Sequence, residues 1–89
     1  MPFEHLSIES FKSMLNEKPL ILVDIRDQPT YNAGHIEGAL HISNHNIEQF
    51  LLEADKSLPI VVCCYHGNSS QGAADYFNQQ GFDAAYSLD

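Results

Sequence analysis

The apolar positions along the chain follow two different periods. Between Ile8 and Leu15 they recur every three or four residues, which predicts an amphipathic helix with Ser7 as its N-cap. From Leu20 to Val23 they form an unbroken run, which is typical of a strand buried on both faces of a parallel sheet. The two patterns alternate over all 89 residues, so helices and strands are expected to alternate as well.

This alternation predicts an α/β fold in one domain over residues 1–89, with a central parallel sheet of about five strands and helices on both faces. Ligands of such sheets bind at the carboxyl ends of the strands. The expected strands run from Glu4 to Leu6, Leu20 to Val23, Ala39 to Ile42, Pro59 to Cys63 and Ala84 to Leu88. The later helices are a turn from Asp27 closed by Gly34, a helix from Ile47 to Ala54 capped by Ser43 or Asn44, and a helix from Ser70 to Gln80 stopped by Gly81.

The charge balance narrows the choice of partners. Four basic residues stand against twelve acidic ones, for a net charge of −8. Nucleic acids and anionic membranes are not expected as partners, because both attract clusters of Lys and Arg. The apolar runs are too short to span a bilayer, and the N-terminus lacks the basic and apolar segments of a secretory signal. Two adjacent cysteines favour reduced thiols over a strained disulfide, which indicates a cytoplasmic protein.

The stretch CCYHGNSSQG, from Cys63 to Gly72, holds the candidate chemistry. Cys63 lies inside the apolar run and is interpreted as a small buried hydrophobic residue. Cys64 comes where the strand ends, and six positions, with Gly67 among them, separate the strand from the next helix. A curled loop of this kind points backbone N–H groups at one spot, beside the positive end of the helix. Such a pocket stabilises a thiolate at Cys64 and then an oxyanion substrate.

Two chemistries use a cysteine loop of this kind, phosphoryl transfer and sulfur transfer. Cysteine phosphatases need an arginine six residues after the cysteine, since the phosphate oxygens take a bidentate guanidinium. Counted from Cys64 that position is Ser70, and the only arginine of the chain is Arg26. A sulfane-sulfur donor needs less charge compensation than a phosphate dianion, so the sequence favours sulfur transfer.

Two segments resemble the signatures of the single-domain rhodaneses. LVDIRDQPTYNAGHIEGALHI is similar to their first motif, and CYHGNSS is similar to the active-site loop of the short GlpE-type thiosulfate sulfurtransferases, which also lack the loop arginine. The resemblance implies the rhodanese fold, with Cys64 as a persulfide-carrying nucleophile and the backbone N–H groups of Tyr65 to Ser70 as an anion cradle. It implies thiosulfate as donor and cyanide or a thiol as acceptor, with thioredoxin as a candidate. It implies no cofactor.

One departure from this family pattern motivates a second hypothesis. Family members usually continue past the last strand with a Gly-Gly-aromatic segment and a final helix, whereas this chain stops at Asp89. The C-terminal helix is therefore expected to be absent, which would leave an apolar face open. The alternative to an enzyme is a non-catalytic rhodanese-like module that docks a partner or relays sulfur.

Several site candidates keep two readings. His66 could assist proton transfer or be solvated, and Ser70 could donate its hydroxyl to a bound sulfite group or be the N-cap of its helix. Gly67 is expected to adopt a positive φ. The expected substrate-binding residues are Tyr65, His66, Gly67, Asn68, Ser69, Ser70 and Arg26, with Cys64 as the catalytic residue.

Charged and histidine side chains outside the loop are read mainly as structural. Asp24 and Arg26 are expected to form an ion pair, although the position of Arg26 at the carboxyl end of a strand leaves a substrate role open. His35, His41 and His45 do not have zinc spacing within one helix, so no metal site is expected. His35 is instead expected to hold its loop by hydrogen bonds.

Overall fold

The computed structural model describes residues 4–64 and 68–88, with the backbone alone at positions 68 and 69. Strands and helices alternate along these residues as predicted. The strands are β1 (Glu4–Leu6), β2 (Ile21–Asp24), β3 (Leu40–His41), β4 (Ile60–Cys63) and β5 (Ala85–Leu88). The helices are α1 (Ile8–Glu17), α2 (Gln28–Ala33), α3 (Ile47–Glu53) and α4 (Asn68–Gln79).

The five strands form one parallel sheet in the order β1-β5-β4-β2-β3. This order confirms the predicted fold class and makes β4 the central strand, between β5 and β2. In the register of the sheet, Cys63 lies opposite Asp24 of β2, and Val62 lies opposite Ser87 of β5. The carboxyl ends of these three strands therefore meet at one edge, directly around the two cysteines.

Apolar side chains from the helices cover both faces of the sheet. On one face, α3 and α4 pack on β2, β4 and β5, where the rings of Phe50, Phe77 and Phe82 contact one another with centroids 5.7–6.2 Å apart. On the other face, Phe11 of α1 and Tyr31 of α2 pack against Val61 and its neighbours. Burial on both faces explains why β4 has an unbroken apolar sequence.

The structure confirms the predicted start of α1, both predicted ends of α2 and the predicted stop after α4. The side chain of Ser7 accepts a hydrogen bond from the Ser10 backbone N–H at 3.1 Å, as an N-cap does. Asp27 caps α2 in the same way, and Gly34 closes it. After α4, Gly81 has a φ of 111°, a conformation that residues with a side chain rarely adopt. The predicted stop at this glycine is confirmed.

The start of α4 and the N-cap of α3 were predicted wrongly, whereas the predicted start of α3 at Ile47 is confirmed. α4 begins at Asn68, so Ser70 lies in its first turn and is not its N-cap. Asn and Ser residues favour N-cap positions, so the sequence places the helix start after NSS, whereas all three residues lie within the helix. The N-cap of α3 is Asn46 rather than Ser43 or Asn44. Its amide group donates to the His41 carbonyl and accepts from the Ser43 backbone N–H, both at 2.8 Å, which holds the preceding residues in a turn.

The longest helix of the described part, α4, has twelve residues. Within residues 4–64 and 68–88, no helix has both the length and the apolar character needed to cross a membrane.

Candidate active site

The candidate site is built where β4 ends and α4 begins. Cys63 is the last residue of β4, and Cys64 follows it outside the strand. Both cysteines are free thiols and both are half-buried. Since β4 is central and α4 starts only four residues after Cys64, the fold brings the amino end of α4 back over the end of the sheet.

A backbone N–H group of α4 points at the sulfur of Cys64. The donor is the Ser70 amide, which lies 3.2 Å from the Cys64 Sγ. Amides of the first helical turn have no acceptor within their own helix, and the aligned peptide dipoles add positive potential at this end. The contact therefore stabilises the thiolate form of Cys64 more than the neutral thiol.

Cys63 has the opposite environment, although it is the next residue in the chain. Its Sγ–H donates to the carbonyl of Val23 in the neighbouring strand at 3.4 Å, and its side chain packs with the core beneath α1 and α2. Burial, together with the nearby Asp24 carboxylate, raises the pKa of the Cys63 thiol to about 11. Cys63 is therefore an un-ionised thiol at neutral pH.

This difference predicts a reactivity contrast in single-thiol variants. With Cys64 replaced by Ser, alkylation of Cys63 by iodoacetamide should stay slow at pH 8 and accelerate only as the pH approaches about 11. The same variant unfolded in urea should react at the rate of an ordinary cysteine, since unfolding removes the burial. Equal rates in the folded and unfolded chains at pH 8 would contradict the assignment of Cys63 as a shielded thiol.

Asp24 and Arg26 form the predicted ion pair beside the cysteines. The carboxylate of Asp24 is fully buried and accepts from the Arg26 guanidinium at 2.7–3.0 Å and from the Arg26 backbone N–H at 2.9 Å. The same guanidinium donates to the Gly34 carbonyl at 2.7 Å. Burial raises the pKa of Asp24, but the Arg26 hydrogen bonds and charge outweigh it, so that the pKa lies below its ordinary value. Arg26 thus ties the loop after α2 to the end of β2.

A cavity of about 310 Å³ opens beside the two cysteines. Sequence reasoning placed Cys64 and Arg26 at the site, but it did not place the loop after α2 or the end of β5 there. No local pattern around those residues points to the site, because they reach it through the sheet order and the Arg26 contact. The lining residues are Asp24, Arg26, Gly34, His35, Ile36, Cys63, Cys64 and Leu88.

A larger cavity of about 600 Å³ lies on the side of α3 and α4. Neither cysteine is among the residues that line it, whereas Arg26 lines both cavities. Its floor is apolar and includes Ile42 and Phe77, and its rim includes His41 and His45. A reaction at a cysteine thiol would therefore take place in the smaller cavity, which the two cysteines line.

Two histidines beside the site, His35 and His41, make structural contacts. The Nδ1 atom of His35 lies 2.8 Å from the Tyr31 carbonyl, and its ring stacks on Tyr31 with the centroids 3.8 Å apart. The Nε2 atom of His41 lies 2.6 Å from the Arg26 carbonyl. The predicted loop-holding role of His35 is confirmed. Over the described residues, no group of three or more His, Cys, Asp or Glu side chains is arranged to hold a metal ion.

Of the remaining predicted site residues, only Ser70 has a described side chain. Tyr65, His66 and Gly67 lie outside the described residues, and so does the expected positive φ of Gly67. The side chains of Asn68 and Ser69 lie outside them as well. Ser70 lies at the site through its backbone amide, while its hydroxyl is buried and lies 2.7 Å from the Ser87 hydroxyl.

These features define a class of protein: a parallel α/β domain with a cysteine between its central strand and the amino end of a helix, whose backbone N–H donates to the sulfur. The profile of the family described as Rhodanese-like domain matches residues 7–89. The chain belongs to the rhodanese-like domain family.

Curated relatives cover most of the chain. The thiosulfate sulfurtransferase GlpE of Pseudomonas fluorescens is 59% identical over 75 residues, which are 84% of this chain and 69% of the relative. The protein of the same name from Shewanella oneidensis is 49% identical over 87 residues, covering 98% of this chain and 86% of the relative. Both identities are high enough to show the family without the structure.

Solved structures agree on the fold. A rhodanese-like domain of a protein from Anabaena sp. superimposes with a TM-score of 0.82 at 26% identity, over 96% of this chain and 67% of that chain. A rhodanese-like domain protein from Staphylococcus aureus gives a TM-score of 0.79, also at 26% identity, over 93% of this chain and 82% of that chain.

Proposed function

We propose that the chain is a thiosulfate sulfurtransferase in which Cys64 carries the sulfur as a persulfide, within a single catalytic domain over residues 1–89. The observation that carries the proposal is the Ser70 backbone N–H at 3.2 Å from the Cys64 Sγ, at the amino end of α4. The names of the GlpE relatives support thiosulfate as the donor.

The proposed reaction has two steps. In the first, the Cys64 thiolate attacks the outer sulfur of thiosulfate, the S–S bond breaks, and sulfite leaves with the bonding electron pair. In the second, an acceptor nucleophile attacks the outer sulfur of the persulfide and regenerates the thiolate. Cyanide gives thiocyanate in this step, and a thiol gives a new persulfide. A protein dithiol such as thioredoxin is a candidate acceptor. The two cysteines form no disulfide, which is consistent with the reducing conditions of the cytoplasm.

Charge supports a local anion site rather than long-range attraction of the donor. The net charge of −8 repels a dianion at a distance. Arg26, which lines the cavity beside Cys64, is already paired with Asp24. The attraction for the donor therefore comes mainly from backbone N–H groups at the start of α4, and Tyr65 to Ser70 remain the proposed cradle, with Arg26 as part of the wall.

Intact-mass measurement tests the first step. After treatment with thiosulfate and removal of the excess, the chain should gain the mass of one sulfur atom, about 32 Da, and lose it when cyanide is added. The gain should be absent in Cys64→Ser and present in Cys63→Ser. A natural chain that never gains the mass would refute the persulfide. A chain that gains it but does not turn over would favour the sulfur-relay module instead.

A further inference from the structure

Two buried hydroxyl groups join α4 to β5 within the otherwise apolar packing of helix on sheet. The Ser70 Oγ and the Ser87 Oγ lie 2.7 Å apart, and both residues are 0% exposed. Besides Asp24, they are the only fully buried polar residues within the described ranges. Burying a hydroxyl costs free energy unless it is hydrogen-bonded, so the bond between these two side chains offsets the cost of burying them. Their neighbours Ala74 and Ala85 show that small apolar residues fit this interface.

Ser70 connects the hydroxyl pair to Cys64, the candidate nucleophile. Ser70 bonds to Ser87 through its side chain and to the Cys64 Sγ through its backbone N–H. Ser87 lies opposite Val62 in the register, two residues before Cys64. One chain of contacts therefore runs from β5 through the first turn of α4 to the sulfur at the end of β4.

We propose that Ser87 is a positioning residue for Cys64: through the Ser70 hydroxyl it holds the first turn of α4 at the distance at which the Ser70 amide meets the sulfur. The inference rests on the proposed role of Cys64, since only a thiol that ionises benefits from the amide. Ser87 itself does not line the cavity beside the cysteines.

The physical reason lies in the weakness of helix ends. The first turn of a helix has no hydrogen bonds from its own N–H groups to preceding turns, so it frays easily and needs tertiary contacts. A hydrogen bond between two buried side chains defines a distance and a direction, which apolar packing does not. The interaction of an N–H group with a thiolate weakens as the geometry is lost, so a small displacement of this turn lowers the fraction of ionised thiol.

The test measures thiol ionisation without thiosulfate, in a Cys63→Ser background with one thiol. The rate of iodoacetamide alkylation against pH reports the pKa of Cys64. Ser87→Ala should raise that pKa by about one unit, which means roughly tenfold less thiolate at a given pH below it. Ile60→Val is the stability control, because it trims the core on β4 without touching the hydroxyl pair and should leave the pKa unchanged.

A double variant separates positioning from stability. Ser87→Ala takes the Ser87 hydroxyl away from a buried Ser70 hydroxyl, whereas Ser70→Ala combined with Ser87→Ala removes both groups from the interior. The unfolding midpoint of the double variant should therefore recover towards that of the parent. The raised pKa should remain, because the tether is still absent. If the double variant and Ser87→Ala both show the pKa of the Ile60→Val control, the hydroxyl pair is only structural and the inference is overturned.

The outcome is independent of sulfurtransferase activity. A chain that never forms a persulfide but shows the pKa shift keeps the positioning role and refutes only the proposed reaction. If Ser87→Ala does not fold, the double variant and Ser87→Thr, which keeps the hydroxyl, provide the comparison. Ser87→Thr should retain the parent pKa, and a shift as large as that of the double variant would contradict the inference.

Discussion

Replacing Cys64 with serine should abolish thiocyanate formation from thiosulfate and cyanide, with a loss of on the order of 10³-fold or more. The hydroxyl of serine does not ionise near neutral pH, and the Ser70 amide alone does not activate it. The matched variant Cys63→Ser should retain most of the activity, because the Cys63 thiol is shielded by burial and bonded to the Val23 carbonyl. The measurement is kcat/KM for thiosulfate in the two variants and the natural chain.

The comparison is sharp because the two positions are neighbours and the substitutions are identical. Both side chains line the same cavity, so nonspecific changes in its shape affect both variants alike. The assignment of the nucleophile would be wrong if Cys63→Ser were inactive and Cys64→Ser active. Circular dichroism and the unfolding midpoint should show that both variants are folded.

Removing Arg26 should have the largest effect on stability. In Arg26→Met, the fully buried carboxylate of Asp24 loses its charge partner, and breaking such a pair typically costs about 3–5 kcal/mol in the free energy of unfolding. A loss of this size is a large part of the total free energy of unfolding of a small domain. Urea denaturation at pH 7 measures the loss. In Arg26→Met with Asp24→Asn no charge stays buried, so part of the stability should return.

The stability lost in Arg26→Met should depend on pH, and the pKa of Asp24 fixes the direction of the change. In the natural chain the pKa of Asp24 is lowered, so its contribution to stability is present at neutral pH and is lost as the pH falls below the ordinary value of 3.8. Without the Arg26 guanidinium, burial is opposed only by the backbone N–H of residue 26 and the His41 charge, so the pKa of Asp24 is higher than in the natural chain and its protonation relieves the variant as the pH falls. The deficit of Arg26→Met should therefore narrow between pH 7 and pH 4. A deficit that is small at pH 7, or that widens in acid, would contradict the buried ion pair.

The sequence by itself determined the features that depend on neighbours along the chain. The contacts that end a helix involve residues within about four positions of each other, so the sequence alone predicts them. The examples are Ser7, Asp27, Gly34 and Gly81. The apolar periods, together with the Asp27 and Gly34 signals of α2, predicted the order of the strands and helices in the described residues, and the position of Cys64 after β4 followed from it. The pairing of Asp24 with Arg26 was also foreseeable, because the two residues are two positions apart.

The tertiary structure alone decided the features that join distant segments. The strand order places Ser87 beside β4, and only then does a hydroxyl from β5 meet Ser70. Packing beneath α1 and α2 makes Cys63 a shielded thiol, while the fold of α4 over the strand end brings an amide to Cys64. The apolar run predicted that Cys63 is buried and that Cys64 begins the turn, but it did not predict which groups surround the two sulfur atoms. Those surroundings arise from contacts far apart in sequence, which periodicity and local preference do not encode.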